Sequence, residues 1–203
     1  MNRVVLVLMV MAFSTVCWAD STDTVKAVVP KDTSWVSKTG SLEFGGIVQV
    51  PGLSGRDLYS RLEVWFAQSF KSANNVLQVR DKESCTLVGS ALFRYYPVVL
   101  VSSTWIQGVV RYDVKMECRE GRFKYTVGNF CHEGKDGRVC FGVVKCDTNC
   151  PVSFGLTGPG PVGSQITWED LQKKCRQEAG LLVGRIKSVK EGKPSAESGP
   201  EDW

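Results

Sequence analysis

Nowhere in the sequence do an acid, a base and a nucleophile converge, and its 203 residues contain one histidine, His132. Without such a constellation no catalytic residues are expected, and the protein is read as not an enzyme. Long apolar runs are missing too. Residues 4–13 are apolar but fall short of the roughly 18 that suggest a membrane span, so none is expected in the mature chain. No charge of one sign dominates. The 25 Lys and Arg lose Arg3 with the N-terminal segment described below and then stand against 21 Asp and Glu. The remaining excess is well short of the basic footprint of a phosphate binder, which excludes nucleic acid as a partner. Gly45-Gly46 and Gly158-Pro159-Gly160 lack the Gly and Lys spacing of a phosphate loop and read as strand and loop glycines. Paired CxxC knuckles are absent, so neither a metal nor any other cofactor is expected.

The N-terminus has the order of a secretory signal. Arg3 precedes the apolar run, Ser14-Thr15-Val16-Cys17-Trp18-Ala19 follows, and Asp20-Ser21-Thr22-Asp23 turns polar at once. Cleavage is expected after Ala19, leaving an exported protein, periplasmic or secreted. Lipidation of Cys17 is the alternative, but Val16 is bulky where a small residue should precede such a cysteine. Seven cysteines then remain: Cys85, Cys118, Cys131, Cys140, Cys146, Cys150 and Cys175. Export favours disulfides, and the odd count leaves at least one thiol free or joined to another chain, as in a disulfide-linked dimer.

Residues 20–41 read as an extended lead-in whose Trp35 can dock on the domain. Alternation of Leu42, Phe44, Gly46, Val48 and Val50 predicts a first strand, ended by Pro51-Gly52. Ser54 with Asp57 predicts a helix start resembling a capping box, and Leu58, Leu62, Trp65, Phe66 and Phe70 recur at helical spacing as a buried stripe. Strands follow at residues 76–80 and 85–93, with Cys85, Leu87, Gly89, Ala91 and Phe93 on one face. The clearest hairpin comes next. Val110, Tyr112, Val114, Met116 and Cys118 alternate with charged residues, and a two-residue Glu120-Gly121 turn would set Met116 opposite Tyr125 and Glu117 opposite Lys124. Residues 155–163 read as a loop. Thr167 and Asp170 then suggest a cap for a closing helix with Trp168, Leu171, Cys175, Ala179, Leu182 and Ile186 on one face. The tail, 190–203, is polar and expected to stay disordered.

This order predicts an α+β domain over residues 42–189, an antiparallel sheet with both helices on one face. Trp65, Phe66, Leu171 and Leu182 should bury against Leu87, Val114 and Tyr125. The words Val50-Pro51-Gly52-Leu53-Ser54-Gly55-Arg56-Asp57-Leu58-Tyr59, then Trp65-Phe66-Ala67-Gln68-Ser69-Phe70-Lys71-Ser72-Ala73, resemble a bacterial family of exported proteins described as a domain of unknown function with a TBP-like fold (domain of unknown function 4468). Arg119-Glu120-Gly121-Arg122-Phe123-Lys124-Tyr125 and Phe130-Cys131-His132-Glu133-Gly134 look like its hairpin turn and strand end. The resemblance covers about residues 42–133 and, more loosely, the last helix. It implies a fold and no activity. Cys85, where a small residue such as Gly would fit the pattern, and the cysteines at 140–150 depart from it.

The sharpest candidate for chemistry is the cysteine-rich insertion 131–150, where Cys131, His132, Cys140, Cys146 and Cys150 offer sulfur and imidazole. Zinc ligation, or a dyad with His132 as general base, is weighed there against disulfides and a surface histidine beside a turn, and the latter two are favoured. Two bridges are expected among the four cysteines. A tight hairpin over residues 134–137 would set Cys131 opposite Cys140 and leave Cys146 to join Cys150, while Cys131 with Cys150 stays open as an alternative. Parity places Cys85 and Cys118 on the core face and Cys175 opposite them, with Cys85 expected as a buried, inert thiol. The charged strand face of Arg111, Asp113, Lys115, Glu117, Arg122 and Lys124 mixes signs and reads as solvated sheet or protein contact. The leading reading is a non-catalytic exported module that binds a protein or envelope component through its sheet or its cysteine loop. The alternative is a structural or assembly protein of the envelope.

Overall fold

In the computed structural model, which describes residues 34–35, 40–70, 76–97, 106–135, 139–146, 149–152 and 160–191, the hairpin predicted from alternation lies at the centre of the sheet. It consists of β5 (Gly108–Arg119) and β6 (Arg122–Gly134). Gly121 closes the turn at a φ of 68°, a backbone region that an L side chain avoids. Met116 faces Tyr125 and Glu117 faces Lys124, as the two-residue turn requires.

Around this pair the remaining strands complete a seven-stranded antiparallel sheet. Its path runs β1 (Ser34–Trp35), β2 (Phe44–Gln49), β6, β5, β4 (Thr86–Tyr95) and β3 (Leu77–Asp81), and β7 (Gly142–Val143) adds to β6. The lead-in thus contributes a short strand, with Trp35 opposite Phe44. The signal at 1–19, the rest of the lead-in up to 39, Asn74-Asn75, Trp105 and the tail beyond 191 lie outside the described residues.

One strand boundary differs from the alternation. Cys85 belongs to the turn before β4, at a φ of 51°, and is half-buried rather than seated on the strand face. Asp81 causes this: its carboxylate accepts from the backbone N–H groups of Glu83 and Ser84 at 3.0 and 3.1 Å and from Ser84 Oγ at 2.7 Å. Such side-chain capture of the backbone competes with a ladder and holds residues 82–85 in the turn.

A bulge in β6 sets which residues reach the core. The β5–β6 register shifts between Arg111 and Asp113, and Asn129 stands at a φ of 55°. Before it Phe123, Tyr125 and Val127 are buried; beyond it Phe130 and His132 are. One inserted residue reverses parity along the rest of the strand.

Helix α1 (Gly55–Ser69) starts where expected. Ser54 Oγ accepts from the Asp57 N–H at 3.2 Å and donates to the Asp57 carboxylate at 2.7 Å. Helix α2 (Gly160–Ser188) starts earlier than the expected cap at Thr167. Pro161, in the first turn, lacks only an N–H that has no intrahelical partner there. Thr167 therefore lies inside the helix, its hydroxyl donating to the Gly163 carbonyl at 2.7 Å, while Asp170 accepts from Tyr95 Oη at 2.9 Å. A short 3-10 turn, Val189–Glu191, follows. Both helices cover one face of the sheet. Trp65, Phe66, Leu171 and Leu182 join Leu87, Val114 and Tyr125 in a single buried cluster, so the packing read from the sequence is the packing observed.

Candidate functional site

His132 is fully buried, which corrects the expectation of a surface histidine; the bulge at Asn129 turns it inward. Its Nδ1 accepts from the Phe141 N–H at 3.3 Å, so the proton resides on Nε2, which donates to the Ile106 carbonyl at 3.0 Å. Both ring nitrogens are thus committed to backbone groups. The ring meets Tyr95 edge-on at 5.6 Å and leans on Phe141 at 5.4 Å, and Phe141 in turn meets Trp168 at 5.7 Å. Tyr95 Oη donates toward the Thr167 carbonyl at 3.1 Å as well as toward Asp170. Four rings therefore tie α2, the end of β4 and the cysteine segment into one knot.

Burial holds the His132 imidazole below its ordinary pKa of 6.5, outweighing the upward pull of the Ile106 carbonyl and of Glu133. The unfolded chain takes up this proton near pH 6.5 and the native chain only at lower pH. Between the two values the unfolded state binds more protons, so stability falls as pH falls. Unfolding curves from pH 7.5 to 5 should show up to about 1.4 kcal/mol lost per pH unit within that window. His132→Gln should lack that contribution, and an equal pH dependence in both proteins would refute a neutral buried imidazole.

Around the knot the cysteines are spread. The strand pair sets Cys131 opposite Val143 and His132 opposite Gly142, so Cys131 does not face Cys140 across the ladder as expected; residues 136–138 of the expected hairpin lie outside the described residues. Lys135 donates its N–H to the Gln107 carbonyl at 3.0 Å, tying the end of β6 to the approach of β5. Cys140 nevertheless lies close to Cys131: its Sγ donates to the His132 carbonyl at 2.6 Å, and burial followed by the neighbouring Cys140 raises the Cys131 thiol. Cys146 donates its N–H to the Gly40 carbonyl at 2.7 Å, whereas the Cys150 N–H reaches Gln165 Oε1 on α2 at 2.9 Å. Different elements hold these two. All seven described cysteines are free thiols. Among the described residues no three of His, Cys, Asp and Glu gather as a metal site.

The opposite face of the sheet carries the polar residues of β5 and β6. Ser90 and Asn129 both donate to Asp113, the latter at 2.8 Å. Arg111 pairs with Glu133 at 2.8 Å and Lys115 with Glu117 at 3.0 Å. Toward the hairpin turn the balance changes. Arg119 and Arg122 are directly opposed, Lys124 lies two residues on, and no ion pair to any of the three forms among the described residues. Glu117, opposite Lys124, is held by Lys115. An open concavity of about 500 Å³ lies here, bounded by these cations with Ile47, Ser84, Thr86, Cys118 and the Lys115-paired Glu117. Single charges were legible in the sequence; their convergence depends on register and on which acid is already engaged.

Residues 44–133 match the model of a family described as a domain of unknown function (DUF4468) with TBP-like fold. Among solved structures, a DUF4468 family protein from Bacteroides ovatus ATCC 8483 superposes with a TM-score of 0.55 at 14% identity, over 83% of this chain and 96% of that chain. A TBP-like protein from Parabacteroides distasonis ATCC 8503 aligns with a TM-score of 0.48 at 13% identity, over 76% of this chain and 96% of that chain. No curated protein matches. The Bacteroides ovatus likeness concerns fold alone, and the matched segment runs from β2 through α1 to the end of β6. Residues 44–133, strands β2 to β6 with helix α1, are thus similar to the DUF4468 family with TBP-like fold, and the fold is α+β.

Proposed function

We propose that the protein is a non-catalytic, exported binding module, periplasmic or secreted, that holds an acidic group of a protein or envelope component on the open face of its sheet. The observation that carries this reading is the convergence of Arg119, Arg122 and Lys124 at the concavity. Directly opposed like charges disfavour strand pairing, and a bound anion relieves them. A carboxylate or phosphate on a macromolecule supplies that anion and accepts from the guanidinium forks. The mixed charges elsewhere on the face limit the site to one end and argue against a long polyanion. Against a catalytic reading stands His132, with both ring nitrogens bonded to backbone groups.

Capture from an envelope fraction tests the proposal. Wild-type protein should retain one stoichiometric partner at low salt, and Arg119→Glu with Arg122→Glu should weaken that binding at least about tenfold, or roughly 1.4 kcal/mol. Undiminished capture by the double variant would refute the assignment. The exposed thiols of Cys140 and Cys146 favour a second reading, a structural protein of the envelope joined by intermolecular disulfides. Mass measurement without reductant separates monomer from dimer.

A further inference from the structure

Cys85 and Cys118 face each other across the β4–β5 ladder. The register sets Thr86 opposite Glu117, so the next step outward pairs Cys85 with Cys118, and the Cys118 N–H donates to the Cys85 carbonyl at 2.9 Å. Directly opposed residues of an antiparallel pair have Cα atoms about 4.5–5.5 Å apart, inside the span of about 4.4–6.8 Å that a disulfide bridges. Their side chains lie on the same side. Cys118 is buried in the core cluster, and Cys85, turned by its positive φ, packs against that cluster. Burial first, then the neighbouring Cys85, pushes the Cys118 thiol up to about 12.

We infer that Cys85 and Cys118 form a cross-strand disulfide in the oxidised protein, made by exchange with a disulfide-bearing oxidant of the export compartment. Cys85, the more exposed thiol, attacks one sulfur of the oxidant as its thiolate, forming a mixed disulfide and releasing the first oxidant thiol. Cys118 then attacks Cys85 Sγ, the mixed disulfide breaks, and the second oxidant thiol leaves. Two cysteine thiols are oxidised, one disulfide is reduced to two thiols, and the two protons go to those products. The Cys85 Sγ contact to the Lys82 carbonyl, 3.6 Å long, is given up at little cost.

This pairing alters the arithmetic of the seven cysteines. It leaves five others, of which Cys175 is fully buried on α2 and Cys140 and Cys146 are exposed. It also fastens the turn at 82–85 to the end of β5, where Ser84, Thr86, Cys118 and Arg119 bound the concavity. The bridge does not depend on what the concavity binds.

Tryptic mapping of the exported chain tests the pair without any substitution. After blocking of free thiols, the peptide spanning residues 83–94 should appear joined to that spanning 116–119, two hydrogens lighter than their sum. Reductant should release both. Wild-type protein refolded in oxidised glutathione should show the same linked pair, and Cys118→Ala should leave Cys85 open to alkylation. Two blocked, unlinked peptides after oxidation would overturn the inference, as would linkage of Cys85 to residues 131–150 or to a second chain.

Discussion

Replacing Trp65 by Ala lowers the free energy of unfolding by about 3–5 kcal/mol, the range for a large aromatic removed from a core. The residue is 4% exposed and lies edge-on to Phe66 at 5.2 Å and to Phe70 at 6.0 Å, where α1 meets the sheet. Its Nε1 is buried without a hydrogen-bond partner among the described residues. Trp65→Phe therefore keeps most of the ring contact and discards a donor that gains nothing from burial, so it should cost clearly less than Trp65→Ala. Chemical denaturation of the three proteins checks both statements. A Trp65→Ala protein as stable as wild type would contradict the packing of α1.

At the other end of the sheet, Trp168→Ala should cost a similar 3–5 kcal/mol, with an additional local effect. Trp168 is fully buried and meets Phe141, which leans on His132. Removing it unseats the segment that holds Cys140, and amide exchange at residues 139–146 should rise by more than it does in Trp65→Ala. Equal exchange in the two variants would mean that α2 does not brace the cysteine segment.

Much of this architecture can be read before folding because the signals are local. The α1 stripe repeats at helical spacing, Ser54 and Asp57 mark its start, and the β5–β6 alternation is unbroken from Val110 to Cys118. The beginning of α2 escapes because its first turns expose Val162 and Ile166, at 74% and 49%, and so show no inward stripe. Burial of His132 escapes for a different reason. One extra residue at Asn129 reverses the parity of everything after it, and no local pattern announces that bulge. Alternation extends back to Cys85, but the carboxylate of Asp81 holds that residue in the turn. At the candidate site, Arg119, Arg122 and Lys124 were visible as charges in a face of mixed sign. Only the register, and the engagement of Glu117 by Lys115, shows that three cations at this end are left without an ion pair among the described residues.

These observations divide the molecule into a face filled by helices and aromatic rings and a face left polar, with its cations gathered at the hairpin turn. Hydrogen–deuterium exchange of the protein, alone and in complex with its captured partner, tests that division most directly. New protection is expected at residues 117–124 and at the 82–86 turn, with the 139–146 segment unchanged. Protection confined to the cysteine segment, with the hairpin end exchanging as in the free protein, would contradict it.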